Sequence, residues 1–444
     1  MRTPIMSKSI VSRREFLWGA GTLCASSLLL GEGFQSKLGV SASTTLPPLV
    51  GLDLYEQNLN SVGTTFANFL ANSTNPDDWG HTYYDSQRVF FKMADYTKDT
   101  KWNAAAQIAG NMYRDRYILP NNGGAAGWWI FAQGMAMDYL RTGDTSSKNA
   151  VDLLSRNASY ANDFTDLEWT KTPDSCREVA YNAMSMMWAE KLGYPHRARK
   201  EDLIKQLYSH FDQAFVSQTY ANVSPFYMML GTEALIMHFY MTGDPQVLPA
   251  VKNAVDWLMA NMWIPNEKTF QYHRLVDSDG GPTPAPDLNL IMLPAWGWVY
   301  NQTGDVKYIN QGDLIFQGGV EKAYLILGKH FNQNYKWSTD YIYWRNVEPL
   351  VTKYDPFTGL PPVFVSSGSP VTPHEPPVDT PPNIDTPTNN NPGNNNPGSS
   401  SPANAGPNSP SHNNSNSNTF GSGRPDSNFY RRLQEIMTKP PRAQ

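Results

Sequence analysis

The chain has 444 residues, and its 35 lysines and arginines against 40 aspartates and glutamates give a net charge of −5. This acidic balance argues against a nucleic-acid partner. It argues only weakly against an acidic polysaccharide, because a cleft can be locally basic on an acidic protein. The two cysteines, Cys24 and Cys176, cannot both belong to the mature chain predicted below, so packing rather than a disulfide must stabilise the fold.

The first 42 residues have the pattern of an export signal. Adjacent Arg13 and Arg14 precede an apolar run over residues 18–30. Val40, Ser41 and Ala42 then provide the small residues that a signal peptidase accepts. This pattern resembles a twin-arginine signal peptide. Because the run is too short for a membrane span, we predict removal of residues 1–42 and no stable membrane insertion. A general secretory signal is the alternative, and both predict a periplasmic or secreted protein.

Residues 43–365 are predicted to form one domain of repeated helical hairpins. The tripeptide Thr-Gly-Asp occurs at residues 142–144, 242–244 and 303–305. Glycine can take the left-handed conformation that ends one helix, and aspartate caps the helix that follows. Each copy therefore marks the turn of a hairpin, and repeated hairpins stack so that neighbours complete each other's core.

The helices on the two sides of these turns differ in pattern. Those before a turn are apolar or small nearly all round, whereas those after it, such as residues 247–259, have one apolar stripe. Burial on all sides predicts an inner ring, and a stripe predicts an outer ring. The predicted inner helices start near Tyr84, Trp128, Arg177, Phe226, Leu288 and Thr339.

The striped helix over residues 54–70 has no inner helix before it, and the last inner helix has no outer helix after it. Pairing these two closes a ring of six hairpins. The arrangement resembles the (α/α)6 toroid of polysaccharide-degrading enzymes, so an all-α toroid is the predicted fold. An open superhelix is the alternative, although the hairpins are too long and irregular for a tetratricopeptide period.

The composition changes after the predicted domain. Residues 366–425 are rich in proline, asparagine, serine and glycine, which predicts a disordered linker without a packed core. In residues 426–444, Phe429, Leu433 and Ile436 recur at helical spacing, which predicts a short amphipathic segment that could bind a protein partner.

In a toroid the inner helices are parallel, so their leading ends gather at one mouth, where a ligand site is expected. Flat aromatic side chains stack on sugar rings, and charged or amide groups pair with hydroxyls. The resemblance implies a polysaccharide substrate at this mouth. The predicted substrate-binding residues are Tyr84, Arg88, Trp128, Trp129, Arg177, Tyr181, Asn182, Tyr227, Asp340 and Tyr341.

Hydrolysis of a glycosidic bond needs two carboxyl groups, one as acid and one as base or nucleophile. We predict Asp85, Glu178 and Asp287 as the catalytic carboxylates, although an acidic residue in the first turn of a helix can be only a cap. The first hypothesis is therefore a glycoside hydrolase that acts on an extracellular or envelope polysaccharide.

Two alternatives stay open. A polysaccharide lyase would use Arg or Asn to neutralise a uronate and Tyr or His to abstract a proton, for which Arg177, Asn182, Tyr227, His273 and Arg274 are available. A non-catalytic toroid would bind polysaccharide or protein without turnover. No metal or cofactor motif occurs in the sequence, so neither group is expected.

Overall fold

The computed structural model describes residues 46–274 and 282–366. The predicted signal peptide, the loop 275–281 and almost all of the predicted linker and amphipathic segment lie outside the described residues.

The helices alternate between an inner and an outer layer along the chain. The inner helices are α2 (Ser86–Thr97), α4 (Gln133–Thr142), α6 (Cys176–Lys191), α8 (Pro225–Thr242), α10 with α11 (Asn289–Met292 and Pro294–Thr303) and α13 with α14 (Lys329–Tyr335 and Ser338–Asn346). The outer helices are α1 (Leu52–Ala71), α3 (Lys101–Tyr113), α5 (Thr145–Asn157), α7 (Ala198–Phe211), α9 (Val247–Asn261) and α12 (Lys307–Lys322).

Contacts between these helices close the ring. In the inner layer α2 contacts α4, and contacts continue through α6, α8 and α10 to α13, which returns to α2. In the outer layer α1, the first helix, contacts α12 near the end of the chain. The described residues thus form six hairpins in a closed (α/α)6 toroid, which confirms the predicted fold and excludes an open superhelix.

Burial follows the sequence patterns of the two layers. In the inner helix α8 every residue from Met228 to His238 is buried. In the outer helix α1 only a stripe is buried, formed by Tyr55, Leu59, Gly63, Phe66 and Leu70. Apolar side chains all round suit a helix with neighbours on every side, and a stripe suits one that faces solvent.

Two inner helices begin at places other than those predicted, and a third is interrupted within its length. The second begins at Gln133, because Trp128 lies in a separate 3₁₀ turn (Gly127–Trp129). The fifth is interrupted before Pro294, as expected where proline removes a helical donor. The sixth begins at Lys329 and is broken near Trp337, so the predicted start near Thr339 is that of its second piece, α14, and not its leading end.

Short strands and a terminal segment complete the domain. Strand β1 (Trp263–Ile264) pairs with β2 (Thr269–Phe270), and β3 (Thr352–Lys353) pairs with β4 (Val365–Ser366), both antiparallel. Residues 354–360, here called the trailing segment, lie against the trailing ends of the inner helices. Tyr240 on α8 donates a hydrogen bond to the Tyr354 carbonyl (2.6 Å), and Arg141 on α4 donates to the Gly359 carbonyl (3.0 Å).

Among the described residues, none of the helices combines the length and apolarity that a membrane crossing requires. The same residues contain no group of three or more potential ligands arranged to hold a metal ion.

Candidate functional site

The leading ends of α2 and α4 are joined by one carboxylate. Asp85 accepts hydrogen bonds from the backbone N–H of Arg88 (3.1 Å) and from that of Gly134 (2.9 Å). A side chain at Gly134 would leave no room for this contact, since a Cβ there would lie 2.3 Å from an Asp85 oxygen. Burial raises the pKa of Asp85, although the Gly134 N–H and the Arg88 charge oppose this effect.

The backbone leading into α2 is strained. Tyr84 and Asp85 both have φ near +65°, a region that costs non-glycine residues about 1–3 kcal/mol each and often occurs at functional sites. The rings of Tyr83 and Tyr84 meet edge to face at 4.5 Å. Burial raises the pKa of Tyr83 to about 12, against the opposing charge of Arg177, so its hydroxyl stays neutral at physiological pH.

Glu178, at the start of α6, has one carboxylate oxygen that is not hydrogen-bonded. Its Oε1 accepts a hydrogen bond from Arg177 Nε (3.0 Å), while Oε2 has no partner among the described residues. The residue is only 8% exposed. A buried polar atom normally has a hydrogen-bond partner, so the unpaired Oε2 is unusual.

Arg177 connects the leading ends of three inner segments. Its guanidinium lies 4.7 Å from the centre of the Tyr227 ring on α8 and 5.9 Å from that of Trp128, ahead of α4. Both rings are half-buried. The leading mouth, defined by Tyr84, Trp128, Arg177, Glu178 and Tyr227, therefore combines aromatic surfaces with one cation and one carboxylate.

The fifth and sixth inner helices contribute Asp287, Lys329 and His330 to the same end of the ring. Gln333 Nε2 donates to the Asp287 carbonyl oxygen (2.5 Å). Burial lowers the pKa of Lys329, the nearby charge of Arg177 lowers it further, and Asp287 opposes both effects. Burial and then Lys329 lower the pKa of His330. Lys329 and His330 were not among the predicted site residues, because the predicted start of this helix lies ten residues after its true leading end.

Deeper in the ring, three buried charges form a network. Glu233 on α8 pairs through Oε1 with Arg88 and through Oε2 with Lys336. Burial alone would raise the pKa of Glu233, but the two cations outweigh it and hold the pKa below its usual range. Glu233 and Lys336 were not among the predicted site residues. The sequence does contain a signal for Glu233, because a charged residue within an otherwise apolar inner helix indicates a buried charge.

Three predicted site residues lie in the core beside the mouth. Trp129 is fully buried and meets the ring of Trp79 at 4.8 Å and that of Tyr83 at 4.8 Å. Asn182 is fully buried and donates to the Glu178 carbonyl oxygen (2.7 Å). Tyr181 is 2% exposed, and its hydroxyl has no partner among the described residues.

Asp340 and Tyr341 lie away from the leading mouth, because the sixth inner helix begins earlier than predicted. Asp340 is buried in the trailing half of the ring, where it accepts hydrogen bonds from Lys92 (2.8 Å) and from the Tyr354 hydroxyl. Tyr341 donates to the carboxylate of Asp313 on the outer helix α12 (2.6 Å). The structure thus separates these two side chains from Arg177 and Glu178.

The residues that a lyase would use do not all lie at the same place. His273 Nδ1 lies 2.7 Å from the Ser224 hydroxyl just before α8, and Tyr227 follows in the first turn of that helix. The Arg274 guanidinium instead lies over the ring of Trp257, 5.3 Å away. The loop after Arg274 extends into residues 275–281, which lie outside the described residues.

Comparison with known proteins gives a structural match at low sequence identity. No protein-family model and no curated protein matches the sequence. Among solved structures, the chain is similar to the crystal structure of an unsaturated glucuronyl hydrolase specific for heparin, at 12% identity and a TM-score of 0.45. The match covers 66% of this chain and 95% of that chain. The (α/α)6 architecture follows from the helix contacts of this chain itself.

Proposed function

We propose that the protein is a carbohydrate-active enzyme that hydrolyses a glycosidic bond at the leading mouth. The observation that carries the proposal is the Glu178 carboxylate, which is buried, paired with Arg177 through one oxygen and unpartnered at the other. Hydrolysis requires such a carboxylate to activate water or to attack the sugar.

The surroundings of Glu178 suit a sugar chain. The Tyr227 and Trp128 rings flank Arg177, and such rings stack on the C–H faces of sugars. The Arg177 guanidinium can donate to sugar hydroxyls or to a carboxylate on the substrate. These features support a polysaccharide as the substrate.

A second carboxyl group must protonate the leaving oxygen. Asp287 is the better candidate for this acid, because it is only half-buried at the start of the fifth inner helix. Both oxygens of Asp85 already accept backbone N–H bonds, which favours a role for Asp85 in holding the two helix starts together.

We also propose that the enzyme works outside the cytoplasm, on an extracellular or envelope polysaccharide. The support is the paired Arg13 and Arg14 ahead of an apolar run, which resembles a twin-arginine signal.

The test is turnover of a panel of neutral and uronic polysaccharides by the purified chain. We expect new reducing ends without the ultraviolet absorbance of unsaturated uronates. Glu178→Gln should lower kcat by at least about 100-fold, the usual contribution of a positioned acid or base. Glu168→Gln is the matched control, since Glu168 is exposed and pairs with the exposed Lys171, and it should keep full activity.

A folded Glu178→Gln variant with activity near that of the unaltered protein would overturn the assignment. Thermal unfolding of both variants shows whether each is folded. Binding without turnover across the whole panel would indicate a non-catalytic toroid instead.

A lyase is the second candidate, favoured by the contact between the Arg177 guanidinium and the Tyr227 ring. Arg177 would neutralise the uronate carboxylate, and the Tyr227 hydroxyl would accept or donate the proton. Reducing ends that appear together with unsaturated-uronate absorbance, and that are lost in Tyr227→Phe, would establish this reaction.

A further inference from the structure

Tyr160, in the loop between α5 and α6, has a strained backbone. Its φ is +66°, in the left-handed region that is costly for a residue with a bulky side chain. Among the described residues, Tyr84 is the only other tyrosine with a positive φ, and it belongs to the leading mouth. Strain of this kind persists where the surrounding contacts enforce it, and it often marks a functional site.

Contacts on two sides hold this loop in place. The buried Arg199 on α7 donates from Nε to the Tyr160 carbonyl oxygen (3.1 Å) and from Nη2 to the Thr165 carbonyl oxygen (2.7 Å). The Ser159 backbone N–H donates to the Ala125 carbonyl oxygen (2.9 Å), just ahead of the 3₁₀ turn that precedes α4. The backbone at residue 160 is therefore fixed between α7 and that turn.

The Tyr160 ring and the Glu178 side chain approach each other at Gly127. A Cβ placed on Gly127 would lie 3.1 Å from Tyr160 Cε2 and 2.8 Å from Glu178 Cγ, so both side chains border the same point. Burial raises the pKa of Tyr160, and the negative charge of Glu178 raises it further. The Tyr160 hydroxyl is therefore neutral at physiological pH and can donate a hydrogen bond.

The polar groups of this pair are not paired with each other or with the rest of the domain. The Tyr160 hydroxyl forms no hydrogen bond with another described residue, and Glu178 Oε2 has no partner among these residues either. The Tyr160 ring is half-buried. A donor and an aromatic surface thus lie beside the carboxylate, and sugars offer hydroxyls and C–H faces to such groups.

We propose that Tyr160 is a substrate-binding residue at the leading mouth, where its hydroxyl pairs with a hydroxyl of the sugar unit that lies against Glu178. The strained loop holds the ring in position before the substrate arrives, so binding orders little additional chain. This inference rests on the proposed function, to which it adds a binding contact from the loop between α5 and α6.

The test compares the affinity of the full chain for polygalacturonate, xylan and mannan, measured by native electrophoresis through gels that contain each polysaccharide. Tyr160→Phe should weaken binding about fivefold, as the loss of one neutral hydrogen bond predicts. Tyr160→Ala also removes the ring and should weaken it about 30-fold. Because the hydroxyl has no partner within the fold, Tyr160→Phe should leave Tm unchanged, which a structural role would not allow.

Tyr194→Phe and Tyr194→Ala are the matched controls. Tyr194 is also half-buried, but it lies beyond the opposite end of α6, so both variants should bind as the unaltered chain does.

The outcomes separate this inference from the proposed function. Turnover with equal affinities for the Tyr160 and Tyr194 variants would overturn the role of Tyr160 alone. Binding that depends on Tyr160 but yields no new reducing ends would support the contact and contradict hydrolysis. Failure of the unaltered chain to bind any of the three polysaccharides would contradict both.

Discussion

At the scale of single residues, His210 is a buried imidazole that remains neutral at acidic pH. It is fully buried, and its Nε2 lies 2.7 Å from the Thr170 carbonyl oxygen. Burial lowers the pKa of His210 to about 4, although the bond to Thr170 opposes the shift. An exposed histidine has a pKa of about 6.5. Folding therefore keeps a proton off this ring between these two values.

This shift predicts a loss of stability in mild acid. Between about pH 6.5 and pH 4 the unfolded chain binds a proton at residue 210 and the folded chain does not, so the free energy of unfolding falls with pH by up to about 3 kcal/mol. His210→Gln should lack this part of the pH dependence in urea unfolding at a series of pH values. His196→Gln, which alters an exposed ring, should keep it; identical slopes for all three proteins would contradict the assignment.

Some site residues could be predicted from the sequence and others could not. Arg177, Glu178 and Tyr227 lie next to helix starts that local sequence signals mark. Once a closed ring of hairpins is predicted, these residues are therefore predicted to lie at the same end of it. Glu233 and Lys336 meet across the ring from distant segments, and their pairing depends on the rotation of each helix about its axis. Periodicity does not determine that rotation when a helix is buried on all sides.

At the scale of elements, the Thr-Gly-Asp turns have the geometry expected from their residues. Gly143, Gly243 and Gly304 have φ between +70° and +79°. The aspartate of each turn accepts a hydrogen bond from the backbone N–H two residues later, for instance Asp305 from Lys307 (2.9 Å). The glycine ends one helix and the aspartate begins the next, which confirms the interpretation of these turns.

Asp305 provides a direct test of the capping role. Asp305→Ala should lower the free energy of unfolding by about 1 kcal/mol, because the Lys307 N–H at the start of α12 loses its acceptor. Asp305→Asn should retain most of that stability, since asparagine caps equally well. Chemical denaturation of the three proteins measures the difference, and equal losses in both variants would indicate that charge rather than the hydrogen bond matters.

Helix boundaries without such a turn were harder to predict. Neither Gly-Asp nor an asparagine cap precedes Lys329, and the break near Trp337 divides the sixth inner helix into two short pieces. The sequence signal there was strongest over the second piece, around Asp340. This is why Asp340 and Tyr341 were expected at the leading mouth, whereas both lie in the trailing half.

At the scale of the whole molecule, the trailing segment packs against the end of the ring opposite the proposed site. Tyr354 and Phe357 are buried there, and Lys92 bonds to Asp340 beneath them. The segment contacts side chains from α2, α4 and α8 through Lys92, Arg141 and Tyr240. The domain is therefore closed at its trailing end by its own chain.

The segment should contribute substantially to stability. Phe357→Ala removes a fully buried ring and should lower the free energy of unfolding by about 3–5 kcal/mol. Val363→Ala, at a side chain that is 68% exposed, should change it by less than about 0.5 kcal/mol. Urea denaturation compares the two, and a small effect of Phe357→Ala would show that the trailing segment is dispensable for folding.

Closure of the ring also constrains the order in which the protein can be completed during synthesis. The Tyr55 ring on α1 packs 5.3 Å from that of Phe316 and 4.9 Å from that of Tyr335. At translation rates of about 5–20 residues per second, these partners leave the ribosome roughly 10–50 s after Tyr55 does. The nascent first helix must therefore expose aromatic surface to the cell for that interval, and a complete toroid exists only once nearly the whole domain has been made.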